Sequence, residues 1–184
     1  EVTAPATFVG HSIYAPELGY DDFAGVDLAG RIAVVLTGAP PTFPPNQRAH
    51  YSDSSTKYRA LSERGAVGWI DIITPIDERR VPWERRLLAS WRPSMRWVGA
   101  AGEPFDAFPG IKARFVLSRA GATKLFTGAP SNLEPVFANS EAGQSKSLHL
   151  PLEATLSTTS ELVRLSSENV VGVIEGSDPV LKNE

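Results

Sequence analysis

The chain has 184 residues, 42% hydrophobic and 21% charged, values of an ordinary globular domain whose core can fold without covalent staples. A formal net charge of −3 disfavours indiscriminate nucleic-acid binding, and the absence of cysteine removes disulfides, thiolate zinc sites and cysteine nucleophiles. No apolar run approaches the roughly 20 residues of a membrane span, and Glu1 is preceded by neither an initiator Met nor a signal peptide, so a processed piece of a longer chain is expected.

In chain order, residues 8–13 read as a first strand and residues 15–23 as a turn-rich loop. The organising stretch is Ile32-Ala33-Val34-Val35-Leu36 between Gly30 and Gly38. So short and β-branched an apolar run predicts a strand buried on both faces. It carries no nucleophile, metal ligand or phosphate loop, so it is scaffold. Pro40, Pro41, Pro44 and Pro45 predict a long loop over 39–52. A helix is expected at about 54–64, with caps offered by Ser52, Asp53 and Ser54, and Gly65 at its end. Residues 67–73 predict a second buried strand, so 31–73 reads as a crossover unit with parallel strands.

Residues 75–110 are expected to be an irregular insert. Lys112 to Leu117 reads as a strand, followed by a short helix capped by Ser118. Residues 131–147 read as a polar loop with one helical turn near Val136. Leu148, Leu150, Leu152, Ala154 and Leu156 alternate as a half-buried strand does, with Leu162 to Leu165 as a hairpin partner. Residues 169–175 predict a last apolar strand. The sum is a mixed α/β fold with a β-rich barrel-like or sandwich sheet and about two flanking helices, too few to cover both faces of a doubly wound sheet.

The chemistry-bearing residues are sparse. His11, His50 and His149 show no helical ligand spacing and read as satisfied or exposed histidines. Asp21, Asp22 and Asp27 lack calcium-loop spacing, and their cheaper reading is side-chain to backbone bonding in turns. Neither a nucleophile elbow nor a dinucleotide or phosphate loop occurs. The unusual surface candidate is Arg79, Arg80, Trp83, Arg85, Arg86, Trp91 and Trp97. Arginines interleaved with tryptophans suit carboxylates, peptides or single-stranded nucleic acid. The same pattern also arises when Trp packs on a sheet under Arg stems.

The stretches Phe8-Val9-Gly10 and Ala15 to Arg31 resemble the opening of a protease-associated (PA) domain. Lys57, Ala60 and Gly65-Ala66-Val67-Gly68 look like that family's helix and second strand. Glu168 to Pro179 is similar to the junction at which such domains return to the catalytic domain of M28-family zinc peptidases. His11-Ser12 stands where the family often has an aromatic and then Gly, and the Arg/Trp insert matches no family role.

The resemblance implies a non-catalytic PA-like domain over 1–168, with an insert loop at 75–110, and a junction over 169–184 to a catalytic domain. It implies secreted or periplasmic localisation, an M28-type catalytic domain in cis, and a peptide or protein substrate. Zinc is expected in that catalytic domain and no cofactor in this chain. No nucleic-acid partner is expected. Family zinc ligands begin with His-x-Asp beyond such a junction; no such motif lies in 169–184, so no metal ligand or catalytic residue is carried over. An inserted domain leaves and rejoins its host at neighbouring points, which places the regions near Phe8 and Glu168 close together. The alternatives are a stand-alone peptide- or ligand-binding module using the Arg/Trp segment, and a complete hydrolase using the scattered His and Asp residues.

Overall fold

A computed structural model describes residues 1–90, 92–105, 107–174 and 176–181. In chain order its elements are β1 (Val2–Phe8), β2 (Tyr14–Ala15), β3 (Tyr20–Asp21), β4 (Ile32–Leu36), α1 (Pro45–Ser52), α2 (Ser54–Glu63), β5 (Gly68–Ile72), α3 (Pro75–Arg80), α4 (Trp83–Ser90), β6 (Arg114–Leu117), α5 (Arg119–Leu125), α6 (Leu133–Glu141) and β7 (Leu148–Leu156). The fold is mixed α/β. One five-stranded sheet runs β6-β5-β4-β1-β7, while β2 and β3 form a separate ribbon. Strands β1, β4, β5 and β6 are parallel, and β7 is antiparallel to β1.

The buried run of β4 explains the layers. Alternate residues of a strand face opposite sides. Ile32, Val34 and Leu36 join Phe8, Ile70 and Ile72 on one side, where α5 and α6 supply Ala122, Leu133, Val136 and Phe137. Phe126, just past α5, meets Phe8 edge to face at 5.5 Å. Ala33 and Val35 join Trp69 on the other side, under Leu61 of α2 and beside Phe23 and Leu28. Both faces are therefore covered. The strand needs apolar residues at every position, which is why β4 shows no alternation.

Helix α2 starts where expected because Asp53 accepts from Ser55 N and Thr56 N at 2.9 and 3.2 Å. It ends at Gly65, whose φ of +75° needs glycine.

Several expectations change. The sheet is a single open layer, with six α-helices among the described residues rather than about two. Helix α1 forms within the expected proline loop because Pro45 occupies its first turn, where the missing N–H costs nothing. The insert over 75–110 likewise contains α3 and α4. Thr74 caps α3 by accepting from Asp77 N at 3.3 Å, and Pro75 again sits in the first turn. Helix α6 runs nine residues instead of one turn.

The first strand lies at Val2–Phe8, earlier than expected. Pro5 is tolerated where the β1–β7 register shifts between Pro5 and Thr7. Positive φ at Gly10 and Ser12 then breaks the chain out of the sheet. No strand forms at 162–165 or 169–174, and Glu175 lies outside the described residues. Pairing of β7 with β1 ends at Leu156 opposite Val2, so the residues that follow find no neighbour there. Leu162, Val170 and Ile174 are more than nine-tenths exposed.

Asp53→Ala removes the acceptor for two N–H groups and is expected to cost ~1 kcal/mol, lowering the thermal midpoint by about 3 °C. Circular dichroism melting checks this.

Candidate functional site

The site begins at the turn that ends β1. Val9 N donates to Val34 O at 2.9 Å and Leu36 N to Gly10 O at 2.7 Å, so the turn is tied to β4. Gly10 has φ +49°, and a Cβ there would lie 1.9 Å from Asp22 Oδ1. Asp22 fills that space. Its carboxylate accepts from His11 N at 2.9 Å, Ile13 N at 3.1 Å and Tyr20 OH at 2.9 Å. Ser147 Oγ donates to its carbonyl, tying the approach to β7 onto the same turn. Burial pushes the Asp22 carboxyl up to about 6, while these hydrogen bonds and Lys57 hold it down.

Lys57 enters from α2 and is 3% exposed. Its Nζ donates to His11 O, and to Leu36 O at 3.5 Å. Burial lowers its pKa to about 8, opposed by the charges of Asp71 and Asp22. The ammonium therefore stays charged at neutral pH within a shell of carbonyls and carboxylates. Asp71 on β5 accepts from Trp69 Nε1 at 3.0 Å and from Arg114 Nε at 2.7 Å. Burial raises its pKa against the pull of Arg114. That guanidinium also lies over the Trp69 ring at 3.9 Å.

A cleft of about 770 Å³ opens above this cluster. It lies at the C-terminal ends of β4 and β5, where open α/β sheets place ligands because the strands stop and the loops diverge. Thr37 Oγ1 donates to Asp77 Oδ2 at 2.7 Å and accepts from Thr74 N at 3.2 Å, joining the two strand ends. His11 and Ser140 reach the cleft from below, with Nε2 and Oγ 2.6 Å apart. Burial, then the nearby Lys57 charge, lowers the His11 pKa to about 3, so the imidazole is neutral. Its Nδ1 makes no hydrogen bond of ordinary geometry, though the peptide groups of residues 36–38 lie near enough to favour its proton.

The Arg/Trp candidates separate in space. Arg79, Arg80 and Arg86 line the cleft. Arg86 is spent on packing: Nε donates to Val81 O at 3.0 Å and Nη2 to Asp77 O at 3.1 Å. Arg80 stands 3.8 Å from Asp77. Trp83 is half-buried and Arg85 exposed. Trp97 is 78% exposed, well away from the buried aromatic role open to it. Trp91 lies outside the described residues. Among the described residues no group of three or more His, Cys, Asp or Glu is placed to hold a metal ion.

Asp21 and Asp27 behave as turn formers, accepting from Phe23 N at 2.8 Å and Ala29 N at 2.9 Å. His149 Nδ1 meets Thr7 Oγ1 at 2.9 Å, and His50 is exposed against Tyr51. The residues that sequence reasoning missed are Arg48, Thr37 and Thr74, and the buried charges of Lys57 and Asp71. Lys57 had one signal: it lies four residues before Leu61, on the helix face that α2 buries.

Two outcomes follow from this electrostatics. Lys57→Met strands the facing carboxylates and is expected to cost ~3 kcal/mol, about 8 °C in melting midpoint. For His11, the unfolded chain takes up a proton below pH 6.5 that the folded chain refuses until about pH 3, so stability present above 6.5 is lost as pH falls through that window. Asp22 acts in the opposite sense between about 6 and 3.8. His11→Gln removes only the first effect, ~2 kcal/mol at pH 5. Urea titrations at pH 7 and pH 5 are expected to show a smaller acid loss in the variant than in the wild type.

No family model, no curated protein and no solved structure matches this chain.

Proposed function

We propose that this chain is the non-catalytic PA-type module of a secreted or periplasmic M28-type zinc peptidase, which binds a peptide or protein partner and shapes substrate access. The observation that carries the reading is the pairing of the first and last strands. Val2 is opposite Leu156, so the folded body receives and releases the chain at one side of the sheet. A domain inserted in a host needs that arrangement. The residues of the resemblance also support one another. Lys57 holds the turn after Val9-Gly10 through His11 O, and Gly30 N donates to Gly65 O at 2.9 Å. The zinc belongs to the host's catalytic domain. The docking surface is the segment from Arg79 to Trp97, where Arg85, Leu88, Met95 and Trp97 are each exposed.

A stand-alone peptide- or ligand-binding module would use the same surface and cleft. One observation favours a third reading, a hydrolase: His11 Nε2 lies 2.6 Å from Ser140 Oγ at the cleft floor. The chemistry weighs against it. A histidine with a pKa of about 3 is a poor general base near neutrality. Among the described residues its Nδ1 has no carboxylate behind it to orient the ring and stabilise an imidazolium.

The chain purified alone is expected to hydrolyse no aminoacyl anilide and to hold no stoichiometric zinc. Elemental analysis finding about one tightly bound zinc per chain, with hydrolysis lost on chelation, would overturn the reading. Hydrolysis abolished by Ser140→Ala would establish the third one instead. In the full-length peptidase, Arg85→Ala with Trp97→Ala is expected to raise KM for peptides at an unchanged melting midpoint. A lower midpoint with unchanged KM would make the segment packing.

A further inference from the structure

We propose that the cleft above His11 binds the carboxylate of an acidic peptide segment, held by Arg48 of α1 and Arg79 of α3. The inference deepens the reading of the chain as a binding module and rests on it.

The cleft carries unspent positive charge. Four guanidiniums line the cleft against the carboxylates of Asp77 and Glu141. Arg86 is committed to two backbone carbonyls and Arg80 leans on Asp77. The guanidiniums of Arg48 and Arg79 have no partner among the described residues, yet both line the cavity. Two planar five-donor groups on separate helices, with nothing to hold in the fold, suit a planar oxyanion gripped by parallel hydrogen bonds.

The size and walls of the cleft suit a peptide. A volume of about 770 Å³ far exceeds a lone anion and lies within the range of pockets that enclose a ligand of several residues or rings. The remaining wall includes Pro41, Pro45, Ile76 and Phe137, which offer apolar contact to a peptide's backbone and side chains. The floor adds no charge, because the His11 ring is neutral and its Nε2 is engaged with Ser140.

Charge alone does not separate a carboxylate from a phosphate, because attraction to the guanidiniums and repulsion by Asp77 and Glu141 both grow with the anion's charge. The apolar wall makes the choice: Pro41, Pro45, Ile76 and Phe137 give contact to a peptide that carries the carboxylate, and inorganic phosphate cannot use it.

The test uses the whole 184-residue chain and fluorescence polarisation. The probes are a labelled peptide of alternating Phe and Glu, and its Phe/Gln counterpart. The Glu peptide is expected to bind about tenfold or more tightly than the Gln peptide, with affinity falling as salt rises. Arg48→Gln and Arg79→Gln are each expected to weaken the Glu peptide by about tenfold, at an unchanged melting midpoint because neither guanidinium holds the fold. Arg48→Lys, which keeps the charge and loses the fork, is expected to fall between wild type and Arg48→Gln. Equal affinity for both peptides, absence of binding at millimolar peptide, or indifference to both Gln variants would each overturn the inference. Displacement of the peptide by inorganic phosphate at equal concentration would overturn the choice of carboxylate. Failure here with an inactive, zinc-free chain that still acts on KM in its host would sink the cleft inference alone. Zinc-dependent hydrolysis by the chain would sink the module reading whatever the peptides do.

Discussion

A buried ammonium constrains this end of the molecule. The charge of Lys57 can stay in the interior only if polar groups surround it. The fold supplies them by bending the chain at Gly10 so that the His11 carbonyl faces Nζ, and by sinking Asp22 and Asp71 into the same region. The bend needs positive φ at Gly10 and at Ser12. It also needs the absence of a side chain at Gly10, whose place is taken by the Asp22 carboxylate. The glycine, the carboxylate and the lysine are thus one device, assembled from three segments.

That device sets the geometry above it. Bending the chain after Val9 directs the His11 ring toward Ser140 of α6, which closes the floor of the cleft. Thr37 and Thr74 join the ends of β4 and β5 beside it. The helices that carry free guanidiniums, α1 and α3, follow directly from those strand ends. Arg79 on α3 is exposed and Arg48 on α1 partly so, both above a platform of joined strand ends. Lys57 belongs to the platform. Its tie to two backbone carbonyls makes it a support for the turn, and its burial keeps it from any ligand.

The Arg/Trp segment does two jobs that composition merges. Arg86 and Trp83 turn inward, one onto carbonyls and one onto partly buried packing, while Arg85 and Trp97 face solvent. The exposed large apolar residues concentrate at 87–105 and at 162–174.

Local pattern determined a good part of this protein. The unbroken apolar run of β4, the capped helix after Asp53, the strand at β5 and the alternation of β7 were legible because each is dictated by neighbours within a few residues. The turn roles of Asp21 and Asp27 were legible for the same reason. Tertiary structure decided the rest. Helices α1 and α3 were hidden because their opening prolines punctuate a loop and a helix start alike, and only packing chooses between them. The tail's apolar run has strand composition but no neighbour, and a strand without a neighbour has no hydrogen bonds to hold it. The cleft was invisible because Thr37 and Arg48, Thr74 and Arg79, and Ser140 come from three separate segments of the chain. Lys57 and Asp22 carry no motif as letters in a row. Their meaning arises only when folding removes water from both, since it is desolvation that turns two ordinary charges into mutual requirements.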